Sequence, residues 1–163
     1  MGLLCDYFIA NSDEEAARTA TWPGGPSRPS APSSGWFRKK TGEPPAALPT
    51  VALEGLEPVV TMATLESLVA GGDVDELVDA NADAQVNDPR HEVAVFRLSG
   101  ALTDALAGTS PDRLRAVAEP WSRTEELAGT TDPGGLAVSL AELAELAKQA
   151  RSSGGDLCCW MAP

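Results

Sequence analysis

The chain has 163 residues and a formal net charge of −12, a length that fits one domain burying roughly 70% of its unfolded surface. The charge argues against a nucleic-acid binder, whose phosphate contacts need clustered Lys and Arg, and against an anionic membrane surface as partner. The hydrophobic fraction is 43%, but 26 of those residues are alanine and only eight are aromatic, so Leu, Val and Ala must build the core around four tryptophans.

Residues 2–10 read as a strand that is apolar on both faces: Leu3, Cys5, Tyr7 and Ile9 lie on one side, Leu4, Phe8 and Ala10 on the other. Such a strand belongs at the centre of a sheet. Ser12 followed by Glu15 forms a capping box, which opens a short helix from Asp13 to about Ala20 that stops near Pro23. The start is too short and lacks the basic region of a secretory signal, and Asp6 stands where myristoylation wants Ser or Thr. Three cysteines, an odd number, give no disulfide framework and fit a reducing compartment. The expected location is cytoplasmic.

Residues 22–49 hold seven of the 13 prolines together with the basic run Arg38-Lys39-Lys40. Proline at that density blocks helix and central strand, so the segment is an insertion or arm within the domain. Trp22, Trp36 and Phe37 imply that parts of it dock, and Pro26, Pro29 and Pro32 have the spacing of a polyproline II stretch. From there to Arg90 the chain has no basic residue and ten acidic ones, Glu43 to Asp88. A one-sign stretch serves as a solvated surface or as a patch for a basic partner or cation.

A second strand is expected over residues 51–56. Residues 59–69 have helical spacing, with Met62, Leu65, Leu68 and Val69 on one side, and end at Gly71-Gly72. A short helix over 73–80 is followed by a polar loop over 81–89, a strand over 92–98, and a helix capped by Ser99 that runs to about Ala107. Another helix follows Pro111. Pro120-Trp121 should break it, and Ser122 to Glu125 supplies a second capping box. The longest helix begins at Pro133 or Gly134 and ends at Ser152. It buries Leu136, Leu140, Leu143, Leu146 and Ala147 and turns Glu142, Glu145, Lys148 and Arg151 to water. Residues 157–161 return as a terminal strand. The whole reads as a single α+β domain over 1–163, a small mixed or antiparallel sheet with both terminal strands in it, packed by several helices and carrying the 22–49 arm.

No residue constellation specifies a reaction, and no catalytic, cofactor or metal site is assigned. Cys5 and one of Cys158 and Cys159 could meet in one sheet, but adjacent strand residues point to opposite faces, and buried cysteine usually acts as a small apolar residue. His91 has no local nucleophile, so it reads as a surface histidine. The alternating oxygens from Asp79 to Asn87 partly mirror a calcium loop, yet Ala84 replaces its glycine and Arg90 its bidentate Glu. Glu125 and Glu126 beside Trp121 fit helix-start carboxylates. Gly24-Gly25, Gly71-Gly72 and Gly134-Gly135 are isolated turn pairs, not a phosphate loop.

The opening MGLLCDYFIA followed by DEEAA, the central PWSRTEEL and the late helix leading into LCCW resemble a group of small uncharacterised actinobacterial proteins. The order of first strand, capped helix and late helix into a terminal strand is similar, more distantly, to the YfbM-like family. The resemblance supports the fold class and implies no residue role. The leading functional expectation is a non-enzymatic intracellular interaction or regulatory protein, for instance an acidic immunity-type protein meeting a basic partner. The alternative is a small enzyme or ligand binder whose pocket is covered by the 22–49 arm, over Trp121 or Trp160.

Overall fold

Strand β1 (Leu4–Ala10) keeps no wet face over its last four residues, all of them buried. The computed structural model, which describes residues 2–29, 45–129 and 132–163, places it inside a four-stranded antiparallel sheet. β2 (Thr50–Ala52) lies on one side of it and β4 (Asp156–Ala162) on the other, with β3 (Ala94–Arg97) beyond β4. Both terminal strands therefore form the middle of an α+β fold, in an unbroken register from Leu4↔Ala162 to Ala10↔Asp156. Residues directly opposite share a face. Cys5, Tyr7, Ile9, Leu157 and Cys159 belong to one buried cluster, while Phe8, Ala10, Cys158, Trp160 and Ala162 belong to another.

Helices cover the first face. They are α2 (Val60–Val69), α4 (Gly100–Gly108), α5 (Pro111–Ser122) and α6 (Pro133–Ser153). The Asp132 carboxylate caps α6 by accepting the Gly135 N–H at 3.0 Å, and Gly154, at φ 73°, ends it in the left-handed region that favours glycine. The five expected α6 positions from Leu136 to Ala147 are buried. Arg151 is not simply turned to water: it pairs with Asp104 at 2.5 Å and reaches Asp156 at 3.6 Å, tying α6 to α4 and β4.

The second face is covered by α1 (Asp13–Arg18) and the 3-10 turn after it (Thr19–Thr21). The Ser12 hydroxyl accepts the Glu15 N–H at 3.1 Å, and the Glu15 carboxylate closes the box one residue early, on the Asn11 N–H at 2.5 Å. Arg97 reaches from β3 to Asp13 at 3.1 Å. The ends of the arm complete this layer. Gly25 and Pro26 are buried, Leu48 N–H donates to the Pro26 carbonyl at 3.0 Å, and Ile9 N–H donates to that of Pro49 at 3.2 Å. The expectations for Pro32, Trp36, Phe37 and the basic run lie outside the described residues.

Five expectations need correction. β2 is three residues long, because Gly55 at φ 79° turns the chain and Leu56 N–H bonds back to the Leu53 carbonyl at 3.1 Å. β3 stops short of Glu92 because the Asn87 side chain occupies its outer edge, accepting from Val95 N–H and donating to the Val93 carbonyl, both at 2.8 Å. In α2, Leu68 is exposed and Glu66 is buried in its place. α3 (Val74–Ala82) runs past residue 80, pinned by Asn81, whose amide donates to the Val59 carbonyl at 3.0 Å. Finally, Pro120 lies inside α5 and no helix starts at Ser122, whose hydroxyl donates to the Glu119 carbonyl instead. Trp121 explains the last case: it is buried, its indole donates to the Thr61 carbonyl at 3.2 Å, and this anchor holds a final helical turn that proline alone would discourage.

Removing that anchor should be costly. Trp121→Ala should lower unfolding free energy by about 3 to 5 kcal/mol, and Trp121→Phe, which removes the indole N–H and part of the ring, by about 1 to 3 kcal/mol. Urea unfolding measures both; a loss below about 1 kcal/mol for the alanine variant would contradict the assigned anchor.

Candidate interaction surface

The structure sorts the mid-chain acidic residues by task. The Glu57 carboxylate accepts the Val59 and Thr61 N–H groups at 2.7 and 2.5 Å at the start of α2. Asp73 caps α3 through the Glu76 N–H at 3.2 Å. Glu66 is buried and accepts the Ser99 hydroxyl at 2.7 Å, while Ser99 itself caps α4. The Arg90 guanidinium holds the Asp88 carboxyl below its ordinary range.

What remains is concentrated on α3. Asp75, Glu76, Asp79 and Asp83 are exposed and make no ion pair with any described residue. Asp75, Asp79 and Asp83 are spaced four apart, so they form one ridge along the helix. Like charges at that spacing repel, and Asp79 and Asp83 also stand toward the negative end of the helix dipole, where no basic residue offsets them. Leu77 and Val78 are half-buried behind this ridge. The local arrangement costs stability.

The calcium-like spacing over residues 79–87 does not make a loop. Its first half is helical, Asn81 turns inward, Gln85 bridges Phe96, and Asn87 bonds along β3. Among the described residues no group of three or more His, Cys, Asp or Glu could hold a metal ion. His91 is exposed, as is Glu125. Glu126, not singled out for this task by the sequence, accepts the Thr64 hydroxyl at 2.5 Å beside Trp121.

The three cysteines are free and buried. Cys5 and Cys159 share the helix-covered face with Tyr7, and Cys158 faces the other way. Burial pushes the Cys158 thiol from 9.0 up to about 12, with the Asp156 carboxylate adding to the rise. Cys159 is held well above the thiol range, first by burial and then by its hydrogen bond with Cys5. The Tyr7 hydroxyl, raised well above its ordinary value by burial, donates to the Leu56 carbonyl at 2.7 Å. Thiols kept protonated in this way are poor nucleophiles and poor ligands.

Trp121 is sealed in the main core, whereas Trp160 borders a cavity of about 450 Å³ that it shares with Trp22 of the arm. Trp22 is set by consecutive turns: its N–H donates to the Thr19 carbonyl at 3.0 Å, and its carbonyl accepts the Gly25 N–H at 2.9 Å. Gly25 has φ 68°, and a Cβ there would lie 3.4 Å from both the Trp160 ring and the Asp6 carboxylate. Burial raises the Asp6 carboxyl, which the Ser27 hydroxyl bond and the Arg28 charge partly offset.

Among the described residues no helix is long and apolar enough to cross a membrane. No family model, curated protein or solved structure matches the chain.

Two outcomes are expected. The unfolded chain ionises its thiols near 9.0, whereas folded Cys158 keeps its proton to about 12. The folded state therefore binds more protons in between, so stability is full below pH 9 and declines as pH rises from about 9 toward 12. Urea unfolding across that range should record the decline, and a thiol reagent at about pH 8 should label no cysteine before the chain unfolds; rapid native labelling would refute the assignment. Gly25→Ala should cost about 1 to 2 kcal/mol and shift tryptophan emission by loosening the arm from Trp160. An unchanged melting temperature and spectrum would show that the arm does not depend on this turn.

Proposed function

We propose that the protein is a non-enzymatic interaction module that meets a basic protein partner through the acidic ridge of α3, in the manner of an immunity-type or regulatory protein. One observation carries the reading: Asp75, Asp79 and Asp83 are stacked at a spacing that weakens their own helix, with no compensating cation among the described residues. Charge kept at a cost to stability is what a surface selected for binding looks like, and complementary charge raises encounter rates and selects partners. The net charge of −12 excludes nucleic acid from this proposal as a partner, since a protein so charged repels phosphate.

Three free, buried thiols support a reducing compartment, and the proposal places the module in the cytoplasm. The order of first strand, capped helix and late helix into a terminal strand supports grouping the chain with the YfbM-like proteins, and that grouping belongs to the same proposal.

The triple variant Asp75→Asn, Asp79→Asn, Asp83→Asn separates binding from folding. Relief of repulsion should stabilise it by about 1 kcal/mol. Affinity capture from native lysate should recover a basic protein on the wild type at low salt, lose it at high salt, and not recover it on the variant. A stabilised variant that captures the same protein equally well would overturn the role of the ridge.

A further inference from the structure

The cavity beside Trp160 has a composition unlike the rest of the surface. The chain has only four tryptophans, and two of them, Trp22 and Trp160, line this one space of about 450 Å³ together with Leu4, Pro23, Glu92 and Val93. That volume lies within the range of small-ligand pockets. Leu4 is 48% exposed at its margin, an apolar side chain left to water. The Trp160 indole N–H is already committed to the Thr19 carbonyl at 3.1 Å, so this residue offers a ligand its ring and not a donor. Trp22 is held by the Thr19 and Gly25 turns, which spares a ligand the cost of ordering it. Among the described residues Glu92 contributes the only ionisable side chain in the lining, and none of them there is Lys or Arg.

Aromatic rings with negative faces and one carboxylate suit a single ligand chemistry. A cation is attracted by both, most strongly over tryptophan, and its apolar substituents gain by covering the rings and Leu4. Anions meet Glu92 and a protein of charge −12. We propose that this cavity binds an organic cation, an alkylated ammonium, against Trp22 and Trp160 with Glu92 as its counter-charge. The site shares no residue with the α3 ridge, so either assignment can fail without the other.

Calorimetric titration of the full chain with choline tests the assignment, with 3,3-dimethylbutanol as the uncharged probe of the same shape. Choline should saturate one site in the range of roughly 1 to 10 mM, and the neutral probe should bind at least about tenfold more weakly. Glu92→Gln should weaken choline about tenfold, and Trp22→Ala should abolish saturation. Glu92 is exposed and Trp22 half-buried, so circular dichroism and melting should stay close to wild type for Glu92→Gln; if Trp22→Ala unfolds, Glu92→Gln alone decides. No saturable choline binding to the wild type, equal binding of the neutral probe, or unchanged binding by folded Glu92→Gln would each overturn the proposal.

Discussion

The β1–β4 pair is dry on both faces, and the rest of the molecule follows from that. A half-buried antiparallel sheet needs one covering layer; this one needs two, because Tyr7 and Phe8, both fully buried, point in opposite directions from adjacent positions. The helices supply the first layer. For the second the described residues supply as helix only the six residues of α1 and a 3-10 turn, too little to cover Phe8, Val95, Cys158 and Trp160. Each such side chain left wet would forfeit about 1.5 to 3 kcal/mol. The two ends of the proline-rich arm make up the deficit, with Gly25 lying flat on Trp160 where a side chain would have to share its space. These arm ends are thus part of the core's cover.

What could be read in advance is what neighbouring residues decide among themselves. The Ser12 and Ser99 caps, the α6 stripe and the largely apolar terminal strands depend on spacing within one element, and the structure carries them as read. The misreadings arise where a distant partner overrides a local rule. Proline should end α5 before Trp121, but the indole bond to Thr61 holds the last turn in place. Leu68 should face the core, but Glu66 is buried instead, because the Ser99 hydroxyl arrives from a later element and satisfies its carboxylate. Asn87 belongs by composition to a loop, and its amide instead completes the edge of β3. Nothing within a few residues of these positions announces the partner.

The acidic stretch shows the same division between amount and placement. Its one-sided charge is plain in the sequence, whereas its sorting is not. Glu57 and Asp73 work as helix caps, Glu66 is buried, and Asp88 is paired. Once those are set aside, most of the residual charge among the described residues lies on and just after α3, with Glu54 the exception. That helix packs chiefly on α2 and carries its carboxylates where they repel one another. A solvating surface gains little from such stacking, since charges dispersed among cations would keep the protein equally soluble. Concentration without neutralisation is the observation on which the proposed basic partner rests.

Adjacent Cys158, Cys159 and Trp160 show how strand alternation distributes chemistry. Cys159 turns to the helices and meets Cys5 and Tyr7 in a dry layer, where burial keeps the Cys159 thiol and the Tyr7 hydroxyl protonated. Trp160 turns the other way, toward the thinner cover, and keeps 7% of its surface in reach of solvent. Because Thr19 has already taken its indole N–H, the only property of Trp160 left for a ligand is the charge distribution of its ring. The face with the poorer cover thus borders the Trp160 cavity, and the arm that lies on this face brings Trp22 to its rim.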